Sequence, residues 1–145
     1  MAAAVSGEAL GVGAMKPYLH AQVSVKKWGG EVSDYLPLHD FIDSSKAAHP
    51  DMRHRAILHS SFGIYICERV FGHCLTLGNG RVLQVRDIAE QHVIDDLGKI
   101  PTVSDYLDGM PMYDWLGGPK RKITRTKIEP GTTLDELRNA LGVVD

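Results

Sequence analysis

The sequence predicts a mainly α protein: a four-helix core with an inserted β-hairpin and an extended C-terminal arm ending in a short helix. Three observations carry this. Helical-period apolar patterns recur along the chain, and most are closed by glycine. One segment, HCLTLGNGRVLQV, sets Asn79-Gly80 between two β-favouring runs, a strong hairpin signal. The tail is rich in Gly, Pro and basic residues before a last helical pattern, TTLDELRNALG.

The first helix is expected in KPYLHAQVSVKKWGG, where Pro17 suits a first turn and Gly29-Gly30 ends it. Leu19, Val23 and Trp28 define its apolar face, with His20 at the edge. SDYLPLHDFIDSSKAA is the second, capped by Ser33 or Asp34 and admitting Pro37 only in its first turn. His39, Asp43 and Lys46 then share a face at i, i+4 and i+7. The third is read as one continuous helix from Asp51, its N-cap, to Phe71, with Gly72 as its stop. On it Met52, Arg55, His59, Phe62, Gly63, Ile66 and Val70 line the inward face, and His54 stays near the mouth. RDIAEQHVIDDLG is the fourth, and PTVSDYLDGM forms a short helix capped by Thr102 or Ser104. Residues 1–15 read as a flexible leader, 16–117 as the helical domain, and 118–145 as basic arm and terminal helix, the latter capped by Thr132 or Thr133.

A chain of 145 residues can bury roughly 70% of its unfolded surface, enough for one unstapled core. A net charge of −2 excludes a globally basic nucleic-acid binder. Nucleic acid is then conceivable only through the 119–127 arm, PKRKITRTK. The two cysteines, Cys67 and Cys74, read as reduced, mostly buried thiols of a cytoplasmic protein. No apolar run approaches the ~18 residues of a membrane span. GNGR is a turn and no phosphate loop, and the G-x-S-x-G elbow is missing.

Each main helix carries one histidine at an apolar-bordered position: His20, His39, His59 and His92. A bundle can converge such side chains in its core, one per helix. Three or four imidazoles with a carboxylate suit a divalent Zn, Fe, Mn or Ni ion. The four histidines are therefore the expected metal ligands, with Asp43 and Asp95 as further ligand or catalytic base. Lys46, Arg53 and Arg55 cluster near the junction of the second and third helices, where a helix N-terminus favours anions. They would bind an anionic small-molecule substrate. The bland alternative leaves the histidines hydrogen-bonded at the core edge and pairs the bases with Asp43, Asp51 or Glu68. The expected function is a metal-binding protein, at its sharpest a metal-dependent hydrolase of a phosphorylated or nucleotide substrate. The alternative is an accessory or structural protein acting through partner contacts, with a tail that supports homo-oligomers.

The order His20, His39-Asp40, His54 or His59, then Asp95 or Asp96 resembles the HD phosphohydrolases, which hold metal with spaced histidines, a His-Asp doublet and a later aspartate. LPLHDFID departs from that family's apolar lead and glycine-containing exit. A broader resemblance covers residues 18–107. The segments HAQVS, DYLPLHD, RHRAILH and EQHVIDDLGKIPT, in that order, are similar to a small uncharacterised family of bacterial and bacteriophage proteins. That likeness implies a bacterial or phage-infected host cell and no particular reaction.

Overall fold

The computed structural model describes residues 15–118 and, in the tail, Thr133, Asp135, Glu136 and Asn139. The expected leader, Met15 apart, and the basic run at 119–127 lie outside the described residues. The chain divides into two units at Met110. The first is mainly helical, as the sequence predicts. It contains α1 (Pro17–Trp28), α2 (Val32–Asp43), α3 (Arg55–Leu58), α4 (Ser61–Phe71), β1 (Cys74–Thr76), β2 (Val82–Gln84), α5 (Val85–Leu97) and α6 (Val103–Leu107). Short 3₁₀ turns at Ser44–Ala47 and Met52–His54 link α2 to α3.

Helix α1 packs along α2, α4 packs along α5, and α2 reaches both α4 and α5. Tyr35, Leu38, Ile42, Ile64, Cys67, Leu77, Val85, Ile88, Ala89 and Val93 are buried in one apolar cluster. The antiparallel hairpin pairs Leu75 with Leu83. Its turn closes with the Gly80 N–H donating to the Leu77 carbonyl and the Arg81 N–H to Asn79 Oδ1, at 2.9 and 3.0 Å. Gly80 sits at φ +85°, a backbone region that favours glycine. Asp34 ties the hairpin to α2, accepting from the Gly78 N–H at 2.9 Å through one oxygen and from the Glu31 N–H through the other.

Several local expectations are corrected. Helix α2 begins at Val32 with Glu31 as its N-cap, so Pro37 lies inside the helix, beyond the first turn. The burial of Tyr35, Leu38 and Ile42 around it outweighs the lost hydrogen bond. On α1 the fully buried residues are His20, Ala21 and Ser24, not Leu19 and Val23. The largest departure is in the third helix, which is broken at His59 (φ −88°, ψ 62°). Ser60 adopts an extended conformation and caps α4 by accepting from the Gly63 N–H at 3.1 Å. The break resets the helical phase. Gly63, Ile64 and Cys67 are buried on α4, whereas Met52, Phe62 and Val70, read as inward, are more than half exposed.

The sequence also predicts two mostly buried thiols. Cys67 is fully buried, and burial pushes its thiol up to about 12, whereas Cys74 is exposed. A thiol reagent at pH 8 is expected to label Cys74 alone in the folded protein and both thiols after unfolding. Two labels on the folded chain would contradict this placement.

In the second unit, Asp114–Leu116 forms a 3₁₀ turn. Thr133 and Glu136 form a reciprocal cap, Glu136 Oε2 accepting from the Thr133 N–H at 2.8 Å, as T-x-x-E at a helix start predicts. No helix among the described residues is long and apolar enough to cross a membrane.

Candidate metal centre

Away from the hairpin, the helices bury histidine and aspartate where an apolar core would be expected. His20, His39, His54, His59 and His92 are each at most 1% exposed. Helices α2 and α5 each contribute a His/Asp pair one turn apart, His39 with Asp43 and His92 with Asp96. The break after α3 supplies the rest. A broken helix leaves unpaired backbone groups. Here the His59 carbonyl accepts from the Tyr106 hydroxyl at 2.8 Å and the Ser61 N–H donates to the Pro101 carbonyl at 2.8 Å. The segment entering α6 thus holds the break, which turns His59 toward α5.

Four donor atoms converge, one each from Asp43, His59, His92 and Asp96, all within 4.8 Å of one another. His59 Nε2 lies 3.0 Å from Asp96 Oδ2 and 3.4 Å from Asp43 Oδ1. His92 Nε2 lies 3.4 Å from Asp96 Oδ2 and 3.6 Å from Asp43 Oδ1. The outer oxygen of each carboxylate is held by a cation. Lys46 Nζ is 2.9 Å from Asp43 Oδ2, and the Arg55 guanidinium is 3.5 Å from Asp96 Oδ1. This buried group could hold a metal ion, with Lys46 and Arg55 orienting its carboxylates from outside.

The hydrogen bonds behind His92 decide which of its nitrogens faces the group. The Ser24 hydroxyl donates its one proton to the His20 carbonyl at 3.1 Å. Ser24 Oγ, 2.9 Å from His39 Nε2, must therefore accept from that ring. Burial, then the neighbouring His92 and His20 rings, hold His39 at about 3, so it is neutral. Its Nδ1 consequently carries a lone pair and accepts from the Nδ1–H of His92, 2.9 Å away. His92 Nε2 is left as a bare acceptor pointing at two carboxylate oxygens. Neither His92 Nε2 nor Asp43 Oδ1 has a hydrogen-bond partner.

Burial would raise Asp43 and Asp96. Against it, His59, His92 and Lys46 hold Asp43 below the usual carboxylate range, and His20, His59 and His92 do the same for Asp96. Burial would lower His59, but Asp43 and Asp96 overcome it and raise the imidazole. The pocket is therefore a place for positive charge, supplied either by protons or by a cation.

The residues singled out from sequence fall into three groups. His59, His92 and Asp43 belong to the converging set. His20 and His39 lie directly behind it: His20 stacks on His92 with ring centroids 3.8 Å apart, and His39 spends both nitrogens on Ser24 and His92. Asp95 sits at the edge, 3.6 Å from His20 Nδ1 and accepting from Gln91 Nε2 at 2.6 Å. Lys46 and Arg55 back the carboxylates. Arg53 is exposed and paired at 2.6 Å with Asp51, apart from the group. Two residues that the sequence brings in as alternatives, through the order resembling the HD phosphohydrolases, also point inward: His54 is buried, and the Asp96 side chain is 1% exposed. Asp96 was legible as the i+4 partner of His92 on one helix face, repeating the His39/Asp43 spacing. Asp40, the second half of the doublet that resembles the HD phosphohydrolases, is exposed.

Residues 15–116 match the family described as Domain of unknown function (DUF6915), and the chain belongs to that family. The matched span contains every residue of the group. No curated protein and no solved structure matches the chain.

Proposed function

We propose that this DUF6915 protein binds a divalent metal ion through Asp43, His59, His92 and Asp96. The observation that carries the reading is the bare Nε2 of His92, aimed at Asp43 Oδ1 and Asp96 Oδ2 at 3.6 and 3.4 Å. Buried acceptors facing one another are costly, roughly 1–3 kcal/mol for each unsatisfied group. A cation between them converts that cost into ligation. His20 and His39 act behind the ligands, His39 by fixing the tautomer of His92.

Elemental analysis of protein purified without a histidine tag is expected to find about one Fe, Mn, Ni or Zn per chain. His92→Ala should remove it. Saturating metal at about 1,000 times Kd should stabilise the fold by about 4 kcal/mol, and a chelator should reverse this. Trace metal that does not change with His92→Ala would overturn the proposal.

The sharper reading is hydrolysis of a small phosphorylated or nucleotide substrate by metal-held water. It is supported by Lys46 and Arg55, which lie on the carboxylates with side chains 35% and 14% exposed beside an otherwise closed group. They would neutralise the substrate, and Asp95, outside the ligand set, would serve as base. Arg53 contributes only if it leaves Asp51. Metal-loaded protein that turns over no phosphomonoester, phosphodiester or nucleotide in a broad panel would sink the hydrolase reading and leave metal binding intact.

A further inference from the structure

His54 bears on what kind of ion the group takes. Its ring is 1% exposed and lies across from Asp43. Its Nδ1 is 2.7 Å from the Asp51 carbonyl, which can only accept, so the ring proton resides on Nδ1. The other nitrogen, Nε2, then presents a lone pair. It has no hydrogen-bond partner, and the nearest acidic atom is the equally unpartnered Asp43 Oδ1, 4.0 Å away. Two buried acceptors are thus pointed at each other across a gap, and the proton that could join them is held elsewhere by the backbone.

The backbone geometry that holds His54 is specific. Asp51 caps the 3₁₀ turn by accepting from the Arg53 N–H at 2.8 Å, and Arg53 clamps the same carboxylate with its side chain. Ser45 Oγ donates to the His54 carbonyl at 3.1 Å. Hydrogen bonds on both sides of its Cα and at Nδ1 therefore orient the imidazole. This matches the outer support found on metal-ligating histidines, whose second nitrogen donates to a carbonyl or carboxylate.

We propose that His54 Nε2 is a fifth protein ligand, giving a site of three histidines and two aspartates with one coordination position open. The inference rests on the metal-binding reading above and names its class. Four donors are what a tetrahedral zinc site requires, whereas five with an open position fit a six-coordinate ion such as Fe(II) or Mn(II). The 4.0 Å gap between His54 Nε2 and Asp43 Oδ1 lies within the ~4.2 Å that two ligand bonds of ~2.1 Å can span. His54 stands outside the four atoms that already lie within 4.8 Å of one another, so uptake of the ion draws its ring inward.

Cobalt(II) reports coordination number directly, with weak visible bands for six ligands and intense ones for four. Cobalt-loaded wild-type protein is expected to show the weak pattern. His54→Ala should bind cobalt at least about 100-fold more weakly, as even an outer-shell change costs 10–100-fold. Its bands should intensify, and added imidazole should restore both properties. An unchanged affinity and spectrum in His54→Ala would overturn the role of His54 while leaving metal binding in place. Failure of the wild-type protein to take up any metal would overturn both. Should His54→Ala not fold, nitrogen-15 spectra of the wild type loaded with cadmium(II), a diamagnetic ion that accepts six ligands, decide. The His54 Nε2 resonance must shift on metal binding together with those of His59 and His92, and a fixed resonance rejects the proposal.

Discussion

Gly63→Ala is expected to destabilise the protein by about 3 kcal/mol or more and to lower its melting temperature by about 10 °C. The sign is opposite to the usual one. In a helix, Gly→Ala at a compatible position commonly stabilises by about 0.4–1 kcal/mol, because the unfolded chain loses freedom. Gly63 is helical and its φ is ordinary, so backbone conformation is not the obstacle. The obstacle is the Leu58 peptide. A methyl at residue 63 would overlap the Leu58 carbonyl and sit 2.7 Å from its Cα. No rotamer change relieves a clash with backbone, so α3 and α4 would have to move apart. That movement would undo the cap between Ser60 and the Gly63 N–H, open the break at His59 and pull His54, Arg55 and His59 away from His92. Thermal melts and metal binding should therefore fail together. Ser61→Ala, at an exposed neighbouring position, is the control expected to change neither. A Gly63→Ala protein as stable as the wild type would mean that the close approach of residues 58 and 63 does not set the break.

The same break marks where the sequence stops being readable. The helical patterns, their glycine stops and the Asn79-Gly80 turn are local signals, and α1, α2, α5 and the hairpin follow them. From Met52 to Phe71 the residues offer no proline and no glycine pair. A continuous helix is therefore the expectation, and its wheel places Phe62, Ile66 and Val70 inside. Ser60 and Gly63 were the available signal, a capping serine three residues before a glycine. What makes the cap win is tertiary: the Tyr106 hydroxyl and the Pro101 carbonyl take up the freed backbone groups. His54 was hidden for the same reason, since its depth depends on the turn before α3. Asp95 and Asp96 follow His92 by three and four residues, so both share its face, and only the packing of α5 tells which one reaches the group. The histidines of the four main helices were legible because each one interrupts an apolar pattern. Their division into ligands and supporting residues was not, because it depends on which nitrogen carries the proton, and Ser24 sets that from another helix.

Asp43→Asn should separate a metal ligand from a structural ion pair. At pH 8 the metal-free protein is expected to lose about 1 kcal/mol, because its neighbours hold Asp43 below the usual carboxylate range and its charge therefore stabilises the fold. Two effects oppose each other. The substitution removes the pair with Lys46, whose side chain is about a third exposed, and such pairs contribute about 0.2–1 kcal/mol. It also replaces the unpartnered Oδ1 by an amide N–H that can donate to His92 Nε2 or Asp96 Oδ2, recovering roughly 1–3 kcal/mol of desolvation cost. The first effect is larger, because the raised imidazole of His59 also loses the Asp43 charge inside an almost completely buried group. The lost carboxylate should weaken metal binding by about 100-fold or more, so added metal should no longer raise the melting temperature. The loss should persist at pH 6, because a carboxyl held below its usual range stays ionised at both values. Melts of wild type and Asp43→Asn, each with metal and with chelator at both pH values, decide the matter. A variant that still responds to metal as the wild type does would make Asp43 a structural partner of Lys46 and His59 and remove it from the ligand set.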